Sequence, residues 1–178
     1  MKKVVVTFGL ISGAVSSALM LLTVPFIDRI GFDRGAVVGY TAIVASFLLV
    51  FFGVRSYRDN VGQGAVTFGR AFGVGLIITL ISCACYVATW EFIYVTFAPD
   101  FADKYAAHAI DHARASGQSA AQIEALAKQM ADFKSMYQKP LLNIAMTFAE
   151  PFPVGLGVTL ISAAVLRRRR AASAPAVG

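Results

Sequence analysis

The sequence predicts an all-α membrane protein: a four-transmembrane-helix bundle with an extracytoplasmic helical hairpin insertion between helices 3 and 4. Three observations carry that reading. The chain of 178 residues is 57% hydrophobic and 15% charged, with a mean hydropathy of +0.67; soluble domains hold about a quarter charged residues. The apolar residues gather in four long runs almost free of charge, each near the roughly 20 residues needed to cross hydrocarbon. The basic residues collect at the ends of those runs, where headgroups lie.

The spans are predicted at about 4–27, 35–54, 71–97 and 141–166. The first two carry no charge, the third carries Glu91 and the fourth Glu150. The runs lack the alternation of barrel strands, so helices remain as the way to satisfy every backbone polar group in lipid. Met1-Lys2-Lys3 before an apolar run resembles a signal peptide, with Ser16-Ser17-Ala18 as a cleavage site. The run continues to Ile27, beyond an h-region of roughly 7–15 residues, and predicts a retained span. Cys83 and Cys85, two apart on a helix, face different sides and read as packing residues.

The first loop, Asp28 to Arg34, is short and makes spans one and two a tight hairpin. The second, Arg55 to Arg70, is rich in glycine but lacks the preceding strand and the Gly-Lys-Ser/Thr of a phosphate loop. The insertion, 98–140, has helical patterning. Asp100 is expected to cap a helix presenting Phe101, Tyr105, Ala109 and His112 on one face. Ser116-Gly117 ends it. Ser119 and Gln122 form a capping box for a second helix with Ile123, Leu126, Ala127, Met130, Phe133 and Tyr137 at helical spacing. Glu124 and Lys128 are placed to pair across one turn. The apolar stripe must bury against its partner helix, another protomer or the bilayer surface. Residues 1–170 form one membrane domain, and 171–178 read as a disordered tail.

The basic residues set the orientation. With the N-terminus in the cytoplasm, the inside holds Lys2, Lys3, Arg55, Arg58, Arg70 and Arg167 to Arg170 against Asp59 alone, while seven basic and seven acidic residues balance outside. Both termini are therefore expected to be cytoplasmic. Arg167, Arg168, Arg169 and Arg170 form a headgroup anchor. The net charge of +6 has no recognition helix, zinc finger or RNA-binding pattern beside it, so nucleic acid is excluded as a partner.

Several stretches carry a family likeness: Thr67-Phe68-Gly69-Arg70-Ala71-Phe72, Tyr86 with Trp90-Glu91, Pro99-Asp100-Phe101 with Lys104-Tyr105, and above all Thr147-Phe148-Ala149-Glu150-Pro151-Phe152-Pro153-Val154-Gly155-Leu156, followed by Leu160-Ile161-Ser162-Ala163 and the arginines. In these the chain resembles the DUF4199 family of bacterial integral membrane proteins. The resemblance covers nearly the whole chain and implies a multi-pass protein of the bacterial inner membrane. The family's function is unknown, so the resemblance supplies no reaction.

Glu150 is the most informative side chain. A charge within a span costs roughly 3 kcal/mol on insertion scales and faces a bundle interior or water-filled cavity. Pro151 and Pro153 remove the backbone donors for the carbonyls of Thr147 and Ala149 and are expected to kink the helix there. A carboxyl beside free carbonyls suits a proton or cation. At about 1.5 Å per residue, Glu150 lies about 14 Å and Glu91 about 9 Å below the outer edge, near enough in depth to meet if their helices touch. The alternative makes each a neutral packing residue, with Glu91 snorkelling among Trp90 and Tyr94. His108 and His112 share a helix face and offer half a zinc site, with Asp111 badly placed as a third ligand. Gly9, Gly13, Gly69, Gly73 and Gly155 are candidate helix-packing positions. Tyr86, Trp90, Phe92, Tyr94 and Phe97 read as an aromatic belt. No catalytic set or cofactor fingerprint is present. The leading expectation is a non-enzymatic membrane protein acting through assembly, as a homo-oligomer or with another membrane protein. The second is a small oligomeric transporter or channel using Glu91 and Glu150.

Overall fold

A computed structural model describes residues 1–168. The described chain is helical. α1 spans Lys2–Thr23, a 3-10 turn Val24–Phe26, α2 Ile27–Ile30, α3 Phe32–Asn60, α4 Phe68–Thr96, α5 Phe101–Ala115, α6 Ala120–Tyr137, α7 Pro140–Ala149 and α8 Pro151–Leu166. Four stretches are long and apolar enough to cross a membrane: Lys2–Ile30, Phe32–Asn60, Phe68–Thr96 and Pro140–Leu166. Large apolar side chains such as Leu22, Val37, Leu48, Phe92 and Leu141 stand exposed on their outer faces. A lipid solvent turns that surface from a liability into the favoured arrangement.

The helices extend past the apolar runs. α3 carries Arg55, Arg58 and Asp59 into its last turns, where Arg58 Nε and Asp59 Oδ1 pair at 2.7 Å. Most of the first connection is also helical. Gly31, at φ 85°, supplies the left-handed residue that lets α2 end and α3 begin.

Polar contacts fix the directions of the helices. Ser12 Oγ donates to the Ser46 carbonyl at 2.9 Å and lies 3.0 Å from Ser82 Oγ, joining α1, α3 and α4 at one level. Thr89 Oγ1 donates to Ser17 Oγ at 2.7 Å, one step further along both helices, so α1 and α4 run parallel. Thr79 meets Thr159 at 3.0 Å and the Gly155 carbonyl at 3.3 Å, while Tyr86, later in α4, meets Glu150, earlier in the chain, so α8 runs antiparallel to α4. The result is an up-down-up-down bundle in which α1 and α8 each pack on both α3 and α4. Its core includes Ile43, Phe47, Val50, Val54, Val74 and Ile78, all almost wholly buried. Val66 and Arg168 exchange backbone hydrogen bonds at 3.0 and 2.9 Å, tying the α3–α4 loop to the end of α8.

Close approach depends on particular glycines. A Cβ on Gly9 would stand 2.8 Å from Ile81, one on Gly13 2.6 Å from Cys85 Cβ, and one on Gly155 2.5 Å from Thr79 Cγ2. Gly69 and Gly73 do not serve packing within the chain: nothing lies within 4 Å of a Cβ built on either. The buried stripe of α4 includes Ala71, Val74, Gly75 and Ile78, about 170° round the helix from that pair.

α5 and α6 pack against each other across a turn at Gly117, which has φ 75°. Lys134 and Asp103 pair across them. The Ser119–Gln122 capping box forms in full. Asp100 stands at the N-cap of α5 but its side chain makes no capping bond; Lys104 Nζ takes the carboxylate at 3.2 Å instead. Glu124 and Lys128 make no ion pair among the described residues, an exposed pair gaining too little to fix two long side chains. Arg169, Arg170 and residues 171–178 lie outside the described residues.

Candidate functional site

The fourth span is broken at Glu150. α7 ends at Ala149 and α8 begins at Pro151, whose ring carries no N–H to continue the ladder. The carboxyl therefore sits at a helix junction rather than on a regular face. The antiparallel α4 brings Tyr86 opposite, and its hydroxyl donates to Glu150 Oε2 at 3.0 Å. One turn back, Thr147 Oγ1 donates to Asn143 Oδ1 at 3.1 Å, and Asn143 Nδ2 donates to the Tyr137 carbonyl at 3.2 Å. This chain of bonds locks α7 to the end of α6. Asn143 is 1% exposed, so its amide must be satisfied by the protein itself.

Glu150 forms part of the floor of a cavity of about 750 Å³. Ser16 and Met20 of α1, Tyr40 and Ile43 of α3, Tyr86 and Trp90 of α4, and Met146 and Thr147 of α7 line its depth. Phe101, Tyr105, His108 and His112 of α5 and Leu126, Phe133 and Tyr137 of α6 close over it. The space exists because α1 and α8 flank the α3–α4 pair, while α7 continues the broken helix. The hairpin's apolar stripe covers what the spans leave open. Below, Ser12, Ser46, Thr79, Ser82 and Thr159 are buried, Ser12 bonded to Ser46 and Ser82 and Thr79 to Thr159. Glu150 itself is exposed, although it lies midway along an apolar stretch.

Ionic contacts hold α5 over the mouth. Lys104 Nζ meets Asp28 Oδ2 at 2.8 Å, and His108 Nε2 lies 3.2 Å from Asp33 Oδ1. The His108 ring stacks on Phe32 with centroids 5.1 Å apart. Asp28, and next Asp100, hold the Lys104 ammonium above its ordinary range. Burial pushes the Tyr137 phenol up. Among the described residues lining the cavity there is no Lys or Arg, while Asp33 and Glu150 are both there.

The structure separates the sequence candidates. Glu91 does not line the cavity and makes no hydrogen bond or ion pair with Glu150 among the described residues; its buried Oε1 has no hydrogen-bond partner there. The two carboxyls thus sit in different surroundings. Pro151 and Pro153 lie in the first turn of α8, at the break. His108 and His112 both line the cavity with rings 6.3 Å apart. No group of three metal-ligating side chains exists among the described residues. Arg167 and Arg168 follow α8, beside Val66. Cys83 is buried, and Cys85 packs where a Cβ on Gly13 would fall.

Tyr86 is the residue that sequence reasoning misplaced. Grouped with the aromatic belt, it instead supplies the one hydroxyl bonded to Glu150 among the described residues. Its signal was position: it sits nearer the middle of the third apolar run than the other belt aromatics, four residues before Trp90 and therefore on the same face.

A family model described as a protein of unknown function (DUF4199) matches residues 7–168. The chain belongs to the DUF4199 family. The match takes in nearly all of the four candidate spans, both hairpin helices and the Glu150 break, so the cavity lies wholly within the DUF4199 region. No curated protein matches the chain, and no solved structure does.

Proposed function

We propose that this DUF4199 protein is a non-enzymatic, multi-pass protein of the bacterial inner membrane that admits a small ligand into a one-sided cavity and anchors it at Glu150. The observation that carries this reading is the cavity of about 750 Å³ ending on an exposed carboxyl within an apolar span. That volume falls within the roughly 300–1,000 Å³ of small-molecule sites. An ionisable group at such a depth is expensive unless water or a ligand reaches it. This favours the transport-type reading of the sequence over pure assembly, with Glu150 acting without Glu91.

Lys2, Lys3, Arg55, Arg58, Arg70, Arg167 and Arg168 all fall at the end of the bundle opposite the cavity mouth, which supports cytoplasmic termini and an extracytoplasmic hairpin. The lipid bilayer is the first partner; a second copy of the chain would pack on the exposed faces of the spans.

The cavity is tested by a single cysteine. Met146→Cys, in a chain carrying Cys83→Ala and Cys85→Ala, should react with a membrane-impermeant maleimide from the extracytoplasmic face of oriented vesicles and not from the other. Labelling from neither face overturns the reading.

A further inference from the structure

The lining of the cavity also selects the class of ligand, provided that Glu150 has the binding role proposed for it. The two formally charged acidic side chains are Asp33 near the mouth and Glu150 at the floor, with no Lys or Arg among the described lining residues. The nearby lysines are engaged elsewhere: Lys104 with Asp28 and Asp100, Lys134 with Asp103. Within the cavity an anion would find no Lys or Arg; Arg34 stands outside it, in the adjoining space beside Asp33 and His108. Aromatic rings stand among the aliphatic walls, with Tyr40, Tyr86, Trp90, Phe101, Tyr105 and Tyr137 lining one space. Ring faces attract cations through their quadrupoles. A bare metal ion surrenders its hydration only to a converging set of ligands, and no group of three His, Cys, Asp or Glu side chains able to hold one stands among the described residues. A substituted ammonium has little hydration to lose and an apolar body to bury.

We infer that the ligand is a hydrophobic organic cation, its charge placed at Glu150 and its body between the rings of α3, α4 and α5. Tyr86 engages Oε2 of the carboxyl, and the other oxygen faces the cation. Where Glu150 starts protonated, binding exchanges its proton for the cation: the O–H bond breaks, the proton leaves to water, and the carboxylate pairs with the ammonium.

Trp90 is the single tryptophan of the chain and lines the cavity, so its fluorescence reports occupancy directly. The full chain in lipid nanodiscs is titrated with trimethyl(2-phenylethyl)ammonium and with its neutral carbon isostere, (3,3-dimethylbutyl)benzene, against empty nanodiscs. The cation should perturb Trp90 saturably, and Glu150→Gln should weaken it by about tenfold while leaving the isostere unchanged. Tyr105→Leu, at a half-exposed ring on α5, should weaken the cation several-fold and keeps the test open if the Glu150 variant does not fold. Equal binding of both probes with no effect of either substitution overturns the cation assignment, as does saturable binding of neither. In both cases labelling at Met146→Cys leaves the cavity itself standing; loss of that labelling sinks the two readings together.

Discussion

Glycine at one position and glycine at another are different instructions, and the difference is measurable. Gly155 faces Phe47 and Thr79 so closely that Gly155→Ala must push one of them aside; overpacking of that kind costs about 1–3 kcal/mol. Gly73→Ala meets open space within the protomer and should stay within about 0.5 kcal/mol of the parent. Thermal unfolding in detergent micelles separates the two, and equal losses would contradict the packing described. At this scale the sequence was legible in kind but not in direction. Small residues and intramembrane acids were evident, and the proline pair marked the break. Which glycines touched a neighbour depended on rotation about the helix axis. Glu91 and Glu150 matched in depth, but Glu91 lies about 140° round α4 from Tyr86, the residue that meets Glu150. A depth estimate contains no such angle.

At the scale of elements, the four long apolar helices were legible because their length and composition are those that hydrocarbon would impose on a span. Their ends were not. α3 runs on to Asn60, since a helix stops where its hydrogen bonds are better satisfied elsewhere and not where the lipid does. The hairpin's helices were visible from their periodicity, and the Ser119 box marked one start. The roof they make was not visible, because it arises from contacts far apart in the chain. Lys104 to Asp28 and His108 to Asp33 hold α5 in place. Removing both with Lys104→Ala and His108→Ala should raise amide hydrogen exchange through α5 while leaving the unfolding of the bundle nearly unchanged, as for other exposed pairs. The lysine's share also has a pH signature. Its folded pKa lies above the unfolded one, so its contribution is complete below the unfolded value of about 10.4 and fades only as pH rises through the higher folded value. Exchange in α5, corrected for intrinsic rates, should show no lysine-dependent loss of protection between about pH 7 and about pH 9.

For the molecule as a whole, the number of candidate spans and the excess of basic residues at one end follow from composition. The neighbour relations do not. Nothing in the four runs says that α1 lies along α4, or that a gap opens between α1 and α7. Those facts come from serine and threonine pairs that only the folded chain brings together. The orientation set by the basic residues predicts that reporters fused to the two ends of the chain both register the cytoplasm. Opposite compartments would remove one crossing from the bundle and the cavity with it.

The parallel pairing of α1 with α4 also reaches into biosynthesis. The first hairpin emerges from the ribosome with Gly9, Gly13 and Ser17 already on a surface shaped for α4, a helix not yet made. Until α4 arrives, lipid must fill that groove. Assembly therefore waits on translation, and a nascent chain stalled after α3 would offer a quality-control protease its least finished face.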